Sequence, residues 1–230
     1  MNRQLFIGIG VVSLGLVTAG WIVVHADAPE RGECKVTTAQ LPAVGNEKNT
    51  GFVVIDPGHG GVDPGTRSHD MDEKTITLKV TRDMVPLLKR DRIKYVLTRD
   101  CDKYVSLSRR VEIANRPGAR LLMSIHCDYF KQHGMDGFTI LYAQGASPDS
   151  RLAAHLVAVG LIHDGFICHA VRRDTRGLEV IDKSKGPAVL VELGFMSDPH
   201  DLHYLTSKSG RHRLAAGLVY GLENYLQKTK

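Results

Sequence analysis

The sequence has no run in which lysine and arginine alternate with aromatic residues, and aromatics make up only 6% of its 230 residues. Net charge is then the sole support for nucleic-acid binding, so no nucleic-acid partner is expected. Four cysteines, Cys34, Cys101, Cys127 and Cys168, form no CxxC pair. They allow three disulfide connectivities between which the sequence does not choose, and buried free thiols are the simpler expectation. There is no internal repeat and no low-complexity tract, which sets aside solenoid and disordered chains.

Acidic charge is outweighed as well. Asp and Glu number 25 against 30 Lys and Arg, a formal net charge of +5 with a pI near 9.0. Such a balance favours an anionic partner, a lipid surface or an acidic wall polymer among them. The hydrophobic fraction of 43% is that of a globular chain. Arg3 precedes an uncharged run from Leu5 to Val24, and about 20 apolar residues suffice to cross a bilayer. This pattern is either a secretory signal, with Ala26-Asp27-Ala28 as a small-residue cleavage site, or an uncleaved anchor, which its length favours. Either way everything after Val24 is exported, to the periplasm or cell wall, free or held at the cytoplasmic membrane by its N-terminus. The expected organisation is a signal peptide or membrane anchor over 1–28, a polar linker over 29–50 and one domain over 51–228.

Within that domain apolar strands alternate with helical patterns, which predicts a single α/β domain with helices on both faces of a sheet. Strands are expected near Phe52–Ile55, Tyr95–Thr98, Leu121–Asp128, Gly137–Tyr142, Leu178–Ile181 and Ala188–Phe195. A polar loop from Val62 to Asp72 leads into a helix from Glu73 to about Arg90, with Ile76, Val80, Met84 and Leu87 at helical spacing and Asp72 as its cap. Pro86 is expected to kink or shorten that helix. Further helices are expected at about Leu107–Asn115, Ser150–His163, just after Ser197-Asp198-Pro199, and Gly210–Leu226. Arg172, Arg173 and Arg176 fall in a predicted loop.

Three of these strands end on residues able to do chemistry. Val53-Val54-Ile55 runs into Asp56-Pro57-Gly58-His59-Gly60-Gly61, a set of turn-formers around one imidazole. Leu121–Ile125 ends on His126, and Ala188–Val191 ends on Glu192. In α/β sheets the carboxyl ends of strands converge on the crevice where ligands bind. Two histidines and a carboxylate are the common ligands of a catalytic zinc that keeps one position open. The remaining histidines, such as His69, His155, His163, His200, His203 and His212, lie in polar loops or among charged neighbours and carry no such implication. Cys127 follows His126 and points to the other side of its strand. Glu73 has two readings, an ordinary first-turn acid or a ligand reaching back to the strand ends. Glu192, inside an apolar run, needs a cation, a bound water or a raised pKa, and so reads as a general base or as one half of an ion pair with Arg99 or Arg110.

The chain resembles the zinc-dependent N-acetylmuramoyl-L-alanine amidases of the Amidase_3 type. The residues that carry the resemblance are Ile55-Asp56-Pro57-Gly58-His59-Gly60-Gly61, Asp63-Pro64-Gly65, Glu73-Lys74 and Leu97-Thr98-Arg99-Asp100. Further on come Leu107, Arg110-Val111, Ala114-Asn115, Ser124-Ile125-His126 and Pro187–Phe195. The resemblance spans about Gly51 to Leu226. It implies a mixed, mostly parallel sheet of about six strands flanked by helices, and Zn2+ held by His59, Glu73 and His126. It also implies hydrolysis of the amide between N-acetylmuramic acid and the L-alanine of the peptidoglycan stem peptide. A water acidified by the metal would attack with Glu192 as general base. Asp56 and Asp128 are candidates to orient the histidines, Asp56 being equally readable as a turn-former. Arg172, Arg173 and Arg176 are candidates to contact stem-peptide carboxylates, or else form a solvated loop. Gly137–Pro187 is too short for a large blocking insert, so an open site is expected, and no separate wall-binding module is visible. Two rivals remain open on sequence alone: a cell-wall zinc peptidase or deacetylase, and a wall-binding scaffold without catalysis.

Overall fold

The computed structural model describes residues 51–68, 70–130 and 134–229. The candidate anchor, the linker, Cys34 and His69 therefore lie outside the described residues. Among the described residues no helix is long and apolar enough to cross a membrane.

Strand β1, Phe52–Pro57, is buried along its whole length, as a strand covered on both faces must be. It pairs in parallel with β4, Tyr95–Leu97, on one side and with β5, Ala119–Asp128, on the other. Parallel neighbours need a crossover, supplied by helix α1, Glu73–Arg90, and helix α2, Leu107–Ala114. Strand β8, Ala188–Phe195, continues in parallel beside β5. It pairs antiparallel with β6, Phe138–Tyr142, which in turn pairs in parallel with β7, Cys168–Arg173, through helix α3, Pro148–His163. The result is a six-stranded mixed sheet of order β4-β1-β5-β8-β6-β7. A two-stranded ribbon, β2 (Arg67–Ser68) with β3 (Met71–Asp72), occupies what reads in sequence as loop. The chain ends in α5, Pro199–Thr206, and α6, Lys208–Lys228.

Alternate strand residues face opposite ways. Val53, Ile55, Met123, Ile125, Val189 and Val191 pack with Ile76, Val80, Met84 and Leu88 of α1 and with apolar residues of α3 and α6. Helix α3 meets α6 at glycines: a Cβ on Gly160 would stand 2.1 Å from Gly217 O. On the opposite face Val54, Leu122, Leu141 and Leu190 pack with Ile113 of α2 and with Val180 and Ile181 of α4, Glu179–Asp182. These two helices are short, 8 and 4 residues. The same face therefore continues past them along the strands, through Asp56, Ser124, His126 and Glu192.

Several expectations need correction. Pro86 does not shorten α1, which runs four residues beyond it to Arg90. Pro86 sits on the exposed side, where water can satisfy the carbonyl its ring leaves free, while the buried i, i+4 stripe ends on Leu88. Asp72 stands at the cap position but makes no capping hydrogen bond; its carboxylate holds Arg67 at 2.6 Å. Of the predicted arginine loop only Arg176 lies in a loop, and the strand expected after it is not one. Arg172 and Arg173 belong to edge strand β7, and Leu178–Ile181 is the start of the α4 turn, closed by Ile181 and Asp182 N–H groups on Leu178 O. Cys127 is a buried free thiol as expected, Cys168 is free but only half-buried, and Cys101 is disulfide-bonded. Cys101 lies in a half-exposed turn, whereas the Cys127 side chain joins the α1-side core.

Candidate metal centre

His59 stands just beyond β1 in a left-handed conformation, φ 60°, a region a residue with a Cβ rarely adopts. The flanking glycines make room for the turn: a Cβ on Gly58 would lie 2.3 Å from the His126 ring. Glu73, the first residue of α1, turns its carboxylate back beneath the strand ends, and its backbone N–H is fixed on Thr66 O at 2.8 Å. Its Oε1 lies 3.1 Å from His59 Nε2 and 3.0 Å from His126 Nδ1, and also accepts the Cys127 N–H at 3.0 Å. Its Oε2 accepts the Thr66 N–H at 2.9 Å. The two imidazoles meet edge to face with centroids 4.9 Å apart.

This donor set fits a metal ion. His59 Nδ1 faces Asp63 Oδ2 at 2.9 Å. With that N–H given to Asp63, Nε2 turns a lone pair on a carboxylate oxygen, an arrangement that needs a proton or a cation between them. The ligand atoms of His59, Glu73 and His126 lie within 4.8 Å of one another. Nitrogen-to-oxygen separations of 3.0 and 3.1 Å approach the edge of about 3.3 Å expected for a tetrahedron of zinc-length bonds. Burial alone would raise the Glu73 carboxyl, but His126 and His59 hold it far below the ordinary carboxylate range. Burial would lower the His59 imidazole, and Glu73 and Asp63 more than reverse that.

Glu192 lies across from His126 in the sheet register and is 8% exposed. Its Oε2 is buried without a hydrogen-bond partner among the described residues, and its Oε1 is 4.0 Å from Arg176 Nη2. Burial pushes this carboxyl up to about 7; Asp128 and Glu73 add to the rise while His126 and Arg176 oppose it. An ion pair with Arg99 or Arg110 does not form, because both guanidiniums are engaged below the His59 turn. His59, Glu73, His126, Glu192, Asp63, Asp128, Tyr129 and Arg176 all line one cavity of about 490 Å³.

The other candidates separate. Asp56 accepts from Thr98 Oγ1, Arg110 Nη1 and, at 2.7 Å, Ser124 Oγ, and from neither histidine. Asp63 is the acid that reaches a histidine, and sequence reasoning gave it no role; its place four residues after His59 was the available signal. Asp128 lines the cavity with Oδ1 on the Tyr129 N–H. Arg176 lines it too, its Nε held by buried Asp174 at 3.2 Å. Arg172 and Arg173 are exposed on β7 and do not line it. In a second group, Asp198, His200 and Asp201, the two carboxylates serve the fold. Asp198 caps α5, and Asp201 Oδ2 accepts the Gly137 and Phe195 N–H groups.

Comparison with known proteins gives one answer. The pattern of the N-acetylmuramoyl-L-alanine amidase family, Amidase_3, matches residues 53–224. A probable cell wall amidase, LytH, of Staphylococcus saprophyticus is 31% identical over 179 residues, covering 76% of this chain and 58% of its own. A sporulation-specific N-acetylmuramoyl-L-alanine amidase of Bacillus subtilis is 31% identical over 173 residues, covering 74% of this chain and 66% of its own. The chain thus spans less than two thirds of either relative. Among solved structures, an N-acetylmuramoyl-L-alanine amidase from Clostridium difficile 630 superposes with a TM-score of 0.75 at 30% identity, over 80% of this chain and all of that one.

Proposed function

Since the chain belongs to the N-acetylmuramoyl-L-alanine amidase family, we propose that it hydrolyses the amide joining N-acetylmuramic acid to the L-alanine of the peptidoglycan stem peptide. His59 through Nε2, His126 through Nδ1 and Glu73 through its carboxylate would hold zinc. Bound there, zinc supplies Lewis acidity towards the scissile carbonyl and acidifies water. Asp63 fixes the His59 tautomer and ring direction. Glu192 accepts the proton of the attacking water and returns it to the departing alanine nitrogen, a task suited to a carboxyl with a pKa near the working pH. Asp128 faces the same cavity and raises Glu192 by charge. Arg176, which lines the cavity, would take a stem-peptide carboxylate; Arg172 and Arg173 are assigned no part. The family's chemistry and its wall-acting relatives support an exported location, with the N-terminal segment as its means of export or attachment.

The observation that carries this reading is the convergence of two imidazole nitrogens on Glu73 Oε1 beside the unpartnered Oε2 of Glu192. Its test is product analysis of purified peptidoglycan treated with the full chain and zinc. Intact stem peptides bearing new L-alanine amino termini support it. Free acetate, or peptides cut internally, would assign the site to a deacetylase or a peptidase instead.

A further inference from the structure

Beneath the metal centre lie two arginines that the reaction itself leaves without a task. Arg99 is 0% and Arg110 3% exposed. Arg110 donates from Nη1 to Pro57 O at 2.7 Å and to the Asp56 carboxylate, from Nη2 to His59 O at 2.6 Å, and from Nε to Val105 O at 3.1 Å. Arg99 donates from Nε to Pro57 O at 3.0 Å and from Nη2 to Gly58 O at 2.7 Å, Lys74 O at 2.9 Å and Thr77 Oγ1 at 3.0 Å. Its Nη1 reaches Cys101 O at 3.2 Å. The carbonyls of three successive residues, Pro57, Gly58 and His59, therefore all end on guanidinium groups.

The other ends of these contacts fall on the elements that carry the remaining ligands. Lys74 and Thr77 lie in the first turns of α1, directly after Glu73, and the Thr77 hydroxyl also donates to Gly58 O at 3.0 Å. Asp56, paired with Arg110, accepts from Ser124, two residues before His126 on β5. Arg99 thus ties the His59 turn to the helix of Glu73, and Arg110 ties it to the strand of His126. Among the described residues Arg99 has no carboxylate of its own in hydrogen-bonding contact; its charge is met by four carbonyls and a hydroxyl. Packing alone would be served better by an apolar side chain, since burying a charge is expensive. A lysine, with one point charge, cannot span the same acceptors. The positive φ of His59 is a strained conformation that persists only where surrounding bonds over-determine it.

We propose that Arg99 and Arg110 are positioning residues of the metal centre, clamping the His59 turn against the helix of Glu73 and the strand of His126 so that the three ligands are set before the metal binds. The inference rests on the metal reading of the site, and the test separates the two. The full chain, Arg99→Lys and Thr77→Val are compared for zinc affinity by competition with a chromophoric chelator, for the visible absorption of bound Co2+, and for melting of the metal-free form. Arg99→Lys is expected to bind zinc about 10–100-fold more weakly, as loss of outer ligand support does elsewhere, and to alter the cobalt bands. Thr77→Val, which keeps shape and loses the hydroxyl's links to Arg99 and to Gly58 O, is expected to bind zinc several-fold more weakly with little change in melting. A merely structural role would lower melting while leaving affinity per folded chain unchanged, and that result overturns the proposal. Should Arg99→Lys fail to fold, Thr77→Val decides, and zinc affinity equal to the unaltered chain's counts against the clamp. No zinc binding by the unaltered chain overturns the metal reading and this inference together.

Discussion

The two faces of one sheet have been put to different uses. Towards α1, α3 and α6 the strands present Val53, Ile55, Met123, Ile125, Val189 and Val191, closed over by long helices. Towards α2 and α4 the same strands begin alike, with Val54, Leu122 and Leu190, and then turn polar at Asp56, Ser124, His126 and Glu192. Helices of 8 and 4 residues cannot cover the full strand length, so the uncovered part becomes the cavity. Polar groups at that depth lose water and must find partners. Asp56 has three; Glu192 Oε2 has none among the described residues. The closed face supplies the rigidity, and the under-covered face spends stability on groups held ready for chemistry.

Substitutions on each face sharpen the contrast. Glu192→Gln should lower kcat about 10²–10⁴-fold, the usual worth of a general base, while the fold is kept. Its effect on stability should have the opposite sign. The folded carboxyl titrates near 7 against an ordinary 4.5, so folding favours the protonated form. The Glu192 contribution to the stability of the metal-free chain is therefore greatest below about pH 4.5, falls as pH rises to about 7, and stays lower above, opposite in sign to that of Glu73, whose lowered pKa makes its contribution fade in acid. Metal-free Glu192→Gln should then exceed the unaltered chain above pH 7 by on the order of 3 kcal/mol, measured by denaturant melts. In the loaded enzyme, activity should fall on the acid side as Glu192 is protonated, with a midpoint at or below about 7 because a bound cation favours the carboxylate. Asp56→Ala, which strands a buried guanidinium, should cost about 3–5 kcal/mol. On the closed face Gly160→Ala should cost about 1–3 kcal/mol through overpacking against α6, with zinc affinity untouched. The smallest effects belong to the arginines. Arg176→Ala should raise KM roughly tenfold by loss of one charged hydrogen bond, whereas Arg172→Ala and Arg173→Ala, at the sheet edge, should leave the kinetics as they are.

What the sequence made legible follows the same division. Strands β1, β5 and β8 announce themselves because both of their faces are buried, giving near-continuous apolar runs that end on His59, His126 and Glu192. Strand β7, Cys168–Arg173, is an edge with half its residues polar, and α4 is one turn, too short for a period to show. Those two elements are not legible in the sequence for that reason. The burial of Arg99 and Arg110 was hidden in a charged stretch because the partners that bury them at the His59 turn are 41 to 54 residues away in the chain. Asp56 and Asp63 flank His59 at similar distance in sequence; the left-handed turn at His59 decides that Asp63 reaches the ring.

The most direct test separates metal from base. Zinc stoichiometry and amidase activity would be measured together on the full chain, Glu73→Ala and Glu192→Gln. The account predicts one zinc per unaltered chain, loss of both zinc and activity in Glu73→Ala, and a full zinc complement without activity in Glu192→Gln. A Glu73→Ala chain that still binds one zinc and releases stem peptides, or a Glu192→Gln chain as active as the parent, would contradict it.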